Sequence, residues 1–81
     1  MTERPSQTPP FTLCGVTWHC LVISDGDFSW YEWRSACGHF AVWRDDGWCA
    51  RRGDVVGRHK HHRLIEAMWA AQKEHVREVA A

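Results

Sequence analysis

The side chains of this 81-residue chain with the chemistry to hold a metal or act as nucleophiles are its four cysteines and six histidines. Cys14 and Cys20 stand as C-x5-C, Cys37 and Cys49 stand alone, and Cys37-Gly38-His39 forms a C-x-H step. Zinc ribbons and fingers bring ligands as C-x2-C pairs, because a tight knuckle presents two sulfurs to one tetrahedral ion. That spacing is missing, which leaves Cys37 and His39 as the metal-ligand candidates and predicts no bound metal and no cofactor. The cysteines read as reduced thiols that behave as small hydrophobes. Nucleophilic catalysis finds no better footing. Ser24, Ser29 and Ser35 lack a motif, and Cys37 with His39 lacks a third group to orient the base. Gly53 and Gly57 do not belong to a G-x4-G-K-[ST] phosphate loop. The sequence predicts a chain that is not an enzyme.

Charge and aromatic patterning point instead to binding. Ten basic residues against ten acidic ones give a formal net charge of zero, which excludes a strongly basic binder of nucleic acid and an acidic mimic of it. One segment departs from that balance. Residues 51–63 hold Arg51, Arg52, Arg58, Lys60 and Arg63 against Asp54, with His59, His61 and His62 among them. It is a candidate DNA or RNA interface, or else a solvated loop entering a helix. Asp25, Asp27, Asp45 and Asp46 sit in two Asp-Gly turn signals. Six tryptophans are too many to fit beneath one helix, so two or three should remain on an open sheet face. Trp33, Trp43 and Trp48 beside Arg34 and Arg44 have the composition of a protein-binding hot spot. With the four aspartates they form the candidate partner-binding set.

These residues need elements to position them. Residues 1–10 hold three prolines without apolar periodicity and predict a disordered tail, leaving residues 11–81 as a single domain. There is no signal-like segment, and the longest aliphatic run, Leu21-Val22-Ile23, is far short of a membrane span, so the expectation is a cytoplasmic protein. Val16 to Ile23, Phe28 to Arg34, His39 to Arg44 and Trp48 to Arg51 read as strands, with Val55-Val56 a stub. A two-residue turn at Asp46-Gly47 would set Trp43 opposite Ala50 and put Trp43 and Trp48 on one face. From about His61 the period lengthens: Leu64, Ile65, Met68, Trp69, Gln72, Val76 and Val79 form the stripe of an amphipathic helix, with Trp69 expected in the core. The predicted fold class is α+β, an antiparallel β-meander of three to four strands packed on one C-terminal α-helix. Its acidic turns gather at one end and Arg51, Arg52 and Arg58 toward the other.

The stretch from Trp33 to Ala71 reads WRSACGHFAVWRDDGWCARRGDVVGRH and continues into a helix with EAMWAA. This W-R, x-D-G-W and x-G-R cadence before an Ala-rich helix resembles small accessory proteins of phages and proteobacterial mobile elements, anti-CRISPR inhibitors among them. The resemblance covers about half the chain and carries over no residue-level site. It implies a stoichiometric inhibitor that docks on a host defence complex, a CRISPR effector, in the cytoplasm of a bacterial host cell. Two other readings stand beside it: a small DNA/RNA-binding regulator using residues 51–63 and exposed Trp, and a zinc-stabilised small domain. An uncovered aromatic face would also suit a homodimer.

Overall fold

A computed structural model describes the backbone of residues 1–80 and the side chains of residues 1–73. The elements in order are β1 (Thr2–Pro5), β2 (Phe11–Leu13), β3 (Val16–Asp25), β4 (Phe28–Ser35), β5 (Phe40–Arg44), β6 (Trp48–Arg52), β7 (Val55–Val56) and α1 (Leu64–Ala80). The class is α+β: one antiparallel sheet with the helix packed against β5 and β6. The predicted four-stranded meander is β3 to β6. No helix among the described residues is long and apolar enough to cross a membrane.

The sheet is wider than predicted because the N-terminal segment joins it. Thr2–Pro5, expected to lie in a disordered tail, pairs antiparallel with β3 from Thr2↔Ser24 to Pro5↔Leu21. Polar and charged residues and a proline hide this strand in the sequence, and an edge is the place where a strand tolerates proline. β2 takes the other half of the same β3 edge, from Phe11↔Trp18 to Leu13↔Val16. The two-residue turn between them, Cys14-Gly15, has φ of 48° and 83°. Two positive φ values in succession are the mark of a type I′ hairpin, whose twist matches that of its strands.

A second correction concerns the β5–β6 register. Arg44 pairs with Trp48 and Trp43 with Cys49, so the loop holds three residues, Asp45, Asp46 and Gly47, rather than two. A one-residue slip moves every side chain to the other face. Trp43 and Trp48 therefore lie on opposite faces of the sheet, and Arg44 sits over the Trp48 ring at 5.9 Å.

The core lies between the helix and one face of the sheet. Trp18, Phe40, Val42 and Ala50 meet Ala67, Met68 and Ala71, with Trp33, Trp48 and Leu64 packed at the margin. Each fully buried large side chain contributes about 1.5–3 kcal/mol. Two alanines on the helix let its backbone approach the sheet closely enough to cover Trp18 and Phe40, whose rings lie 6.2 Å apart. Gln72, placed on the apolar stripe by its spacing, is wholly buried and accepts a hydrogen bond from Trp18 Nε1 at 2.8 Å. Its Nε2 donates to the Leu13 carbonyl at 2.6 Å. One polar side chain thus fastens helix, central strand and β2 hairpin together.

Trp69 corrects the expectation of a core tryptophan: it is 42% exposed, and Ile65 is 47% exposed. The buried positions run Ala67, Met68, Ala71 and Gln72, with Leu64 half-buried, a narrow stripe that leaves Ile65 and Trp69 on its flank. Val76 and Val79 lie outside the described side chains. The helix begins at Leu64 rather than near His61 because His61 is held in a backbone bridge to Trp48.

Candidate docking groove and charged surfaces

An apolar concavity forms between the N-terminal segment and the helix. Pro9, Pro10 and Phe11 line it from the N-terminal segment, Trp33 from β4, and Leu64 with Ile65 from α1, around an open cavity of about 530 Å³. β2 sets Phe11 beside Trp18 on the helix side of the sheet, and the Gln72–Leu13 hydrogen bond holds that hairpin against α1. Ile65 also borders a neighbouring hollow shared with Leu13 and Trp69. Phe11, at 40% exposure, joins Ile65 and Trp69 as large apolar side chains left in water around the groove.

The opposite face of the sheet carries no helix. Ladder parity places Ile23 against Trp30, Cys49 against Trp43 and Ala41 against Arg34 there, so each smaller residue has a large cross-strand partner. This shielding explains how Ile23, at 1% exposure, is buried on a face without a helix. Arg34 spans three strands: Nε donates to Glu32 at 2.6 Å and Nη1 to Glu3 on β1 at 2.8 Å. The Arg34 guanidinium holds the Glu3 carboxyl below its ordinary value, chiefly by that hydrogen bond, and Glu3 in turn raises Arg34. A depressed carboxylate stabilises the fold fully above its unfolded value and loses that contribution as pH falls through the folded one. Amide-exchange protection along β1 is therefore expected to fall with acidification before that of β5. Glu3→Gln should remove the pH dependence, and unchanged acid sensitivity in that variant would refute the role of the tie.

The structure divides the sequence-predicted partner set. Trp43 and Arg34 share the open face, half-buried, together with Trp30, which the sequence candidates omitted. Trp33 and Trp48 lie on the helix side, partly buried against the core. Asp25, Asp27, Asp45 and Asp46 are exposed in the turns after β3 and β5, at one end of the meander as expected. Arg51 and Arg52 pair with Ala41 and Phe40 at the other end of β5–β6, as expected, whereas Lys60 returns to the acidic turn and donates to the Asp45 carbonyl. Of the basic candidates, Lys60 and Arg51 brace backbone, Arg51 through the Gly53 carbonyl. Arg63 is exposed just before the helix, and its carbonyl accepts from Ala67 N. Arg52 and Arg58 border a cleft that also receives Lys73, a residue the sequence candidates did not include.

The cysteines scatter: Cys14 and Cys37 are exposed, Cys20 and Cys49 buried, all with free thiols. Among the described residues no three metal-ligating side chains converge. The two metal-ligand candidates face different partners. Cys37 Sγ lies 3.2 Å from Ser35 Oγ, whereas the His39 ring stacks edge-on against Phe40 at 4.9 Å. The Ser35 hydroxyl is the main cause pulling the Cys37 thiol below its ordinary value. Since the thiolate is the reactive form, iodoacetamide should modify Cys37 before Cys20 and Cys49, with Ser35→Ala moving its pH–rate profile upward. A profile unchanged by that substitution would show that the hydroxyl does not tune the thiol.

No protein-family model, curated protein or solved structure matches this chain.

Proposed function

We propose that this chain is a non-enzymatic protein-binding module that acts as a stoichiometric inhibitor, docking through the groove between its N-terminal segment and α1. The observation that carries this reading is the apolar cavity of about 530 Å³ bordered by solvent-exposed Phe11 and Ile65. Concave apolar surface rimmed by exposed apolar side chains supplies the buried anchors on which interface energy concentrates. The exposed aspartates of the two hairpin turns add a charged surface suited to steering a basic partner toward the protein. The resemblance to anti-CRISPR inhibitors supplies the partner class, a CRISPR effector complex of a bacterial host.

The test combines the purified protein with the effector complex of its host cell and reads target-DNA cleavage or interference. Inhibition that saturates near one copy per effector, with co-elution from a sizing column, is the expected result. Undiminished effector activity at large molar excess would overturn the effector assignment. Elution of the protein alone as a dimer, with the groove variants monomeric, would assign the groove to self-association instead.

A further inference from the structure

We propose that the open face of the sheet is an interface between two copies of this chain, packed face to face with corresponding strands running in opposite directions. α1 packs on the other side, against β5 and β6. The ladder register arranges the open face in rows. His19 pairs with Arg34, Arg34 with Ala41 and Ala41 with Arg51, so the row farthest from the Asp-Gly turns is basic. At the other end of the same strands Asp25 pairs with Phe28, and Asp27 and Asp45 stand in the adjoining turns. Between the two ends lie Leu21, Trp30 and Trp43, all half-buried, with Ile23 sealed among them.

This pattern is complementary to itself. A two-fold axis lying across the strands, level with the Val22–Tyr31 pair, carries each end of the face onto the opposite end of its copy. Asp25 then meets the partner's His19, and the acidic turns approach the partner's basic row. Phe28, 77% exposed, meets the partner's Arg34. Ion pairs to Glu3 and Glu32 already fix that guanidinium as a plane on which an aromatic ring can lie. Ten basic residues against ten acidic ones mean that two copies approach without net repulsion. With strands about 4.8 Å apart and residues about 3.4 Å along them, five strands present a face of roughly 24 by 20 Å. Two such faces cover roughly 1,000 Å², the lower bound of a specific interface, so the expected dimer is micromolar rather than nanomolar. The apolar groove lies on the helix side and stays open in both copies.

Sedimentation equilibrium of the full-length protein in reducing buffer, across a micromolar concentration series, tests it. The mass should rise from that of one chain to that of two. Asp25→Arg and His19→Asp should each weaken dimerisation at least about tenfold, because the two-fold axis counts each change twice. Both positions are exposed, so unchanged melting temperatures would confirm that each variant stays folded. Mixing the two variants should restore association, since the introduced arginine of one copy then faces the introduced aspartate of the other. His19 and Asp25 lie far apart along β3, so that rescue cannot arise within one chain. Ile65→Asp, on the groove, should dimerise as the parent does. The proposal is overturned if the mass stays that of one chain throughout, or if both charge variants dimerise as the parent does. It is equally overturned if their mixture associates no better than either alone, or if Ile65→Asp is monomeric.

Discussion

Replacing Gln72 by alanine is expected to destabilise the fold by about 2–4 kcal/mol, the largest effect of any single polar substitution in the described core. Gln72 is fully buried and makes two hydrogen bonds to parts of the chain far apart in sequence, the Trp18 indole and the Leu13 carbonyl. Leaving a buried donor or acceptor without a partner costs about 1–3 kcal/mol, and this substitution strands both. A chain of this length holds a total stability of about 4–12 kcal/mol, so the loss is a large share of it. Urea denaturation followed by tryptophan fluorescence measures it as a lower midpoint. Gln72→Met separates packing from polarity, since methionine fills similar volume without either hydrogen bond. If Gln72→Met is as stable as the parent, the hydrogen bonds contribute little and only volume matters. Trp18→Phe deletes the indole donor from the other side. The double variant with Gln72→Met should show coupling between the sites of at least about 0.5 kcal/mol.

The second large effect lies on the groove and on the hollow beside it, which share Ile65. Ile65→Asp and Trp69→Ala should each weaken partner binding at least about thirtyfold, equivalent to the roughly 2 kcal/mol that defines an interface hot spot. Both residues are exposed, so these changes should leave stability within about 0.5 kcal/mol of the parent. That separation is what makes the pair informative: binding falls while the denaturation curve stays in place. Alanine at Asp25, Asp27, Asp45 and Asp46 together provides the contrast. Exposed rim charges act mainly on association rate, and their removal should slow binding and flatten its salt dependence. Should the four-aspartate variant abolish binding while the groove variants bind normally, the docking surface is the hairpin end and the groove reading fails.

Much of the architecture could be read from residue order. The alternation through Phe28 to Arg34, the Asp-Gly signals and the change of period before Leu64 are local patterns, and each marked a strand, a hairpin or the helix, although the loop at Asp46-Gly47 is one residue longer than its signal implied. Thr2–Pro5 was hidden because its strand depends on a β3 edge that receives it, not on its own propensity. Trp69 was misplaced for a related reason. A periodic stripe says which residues share a helix face, but the width of the buried strip is set by what lies beneath it. Here two alanines and Gln72 bring the helix down on Trp18 and leave Ile65 and Trp69 to the side.

The candidate sites follow the same division. By its composition the sequence determined that positive charge is concentrated in residues 51–63, that aromatics exceed what one core can hold, and that the cysteines lack knuckle spacing. Those are properties of order and count, independent of folding. Tertiary structure alone decided which of them converge. It turned Lys60 and Arg51 into braces for backbone carbonyls, added Lys73 to Arg52 and Arg58, and sent Trp43 and Trp48 to opposite faces. Cysteine and histidine spacing, the starting point for chemistry, led to no convergent ligand set among the described residues, while a buried glutamine became the central fastening. The reason is geometric. A single added loop residue or one long-range hydrogen bond changes which side chains meet, and neither is encoded within the few residues that a local pattern spans.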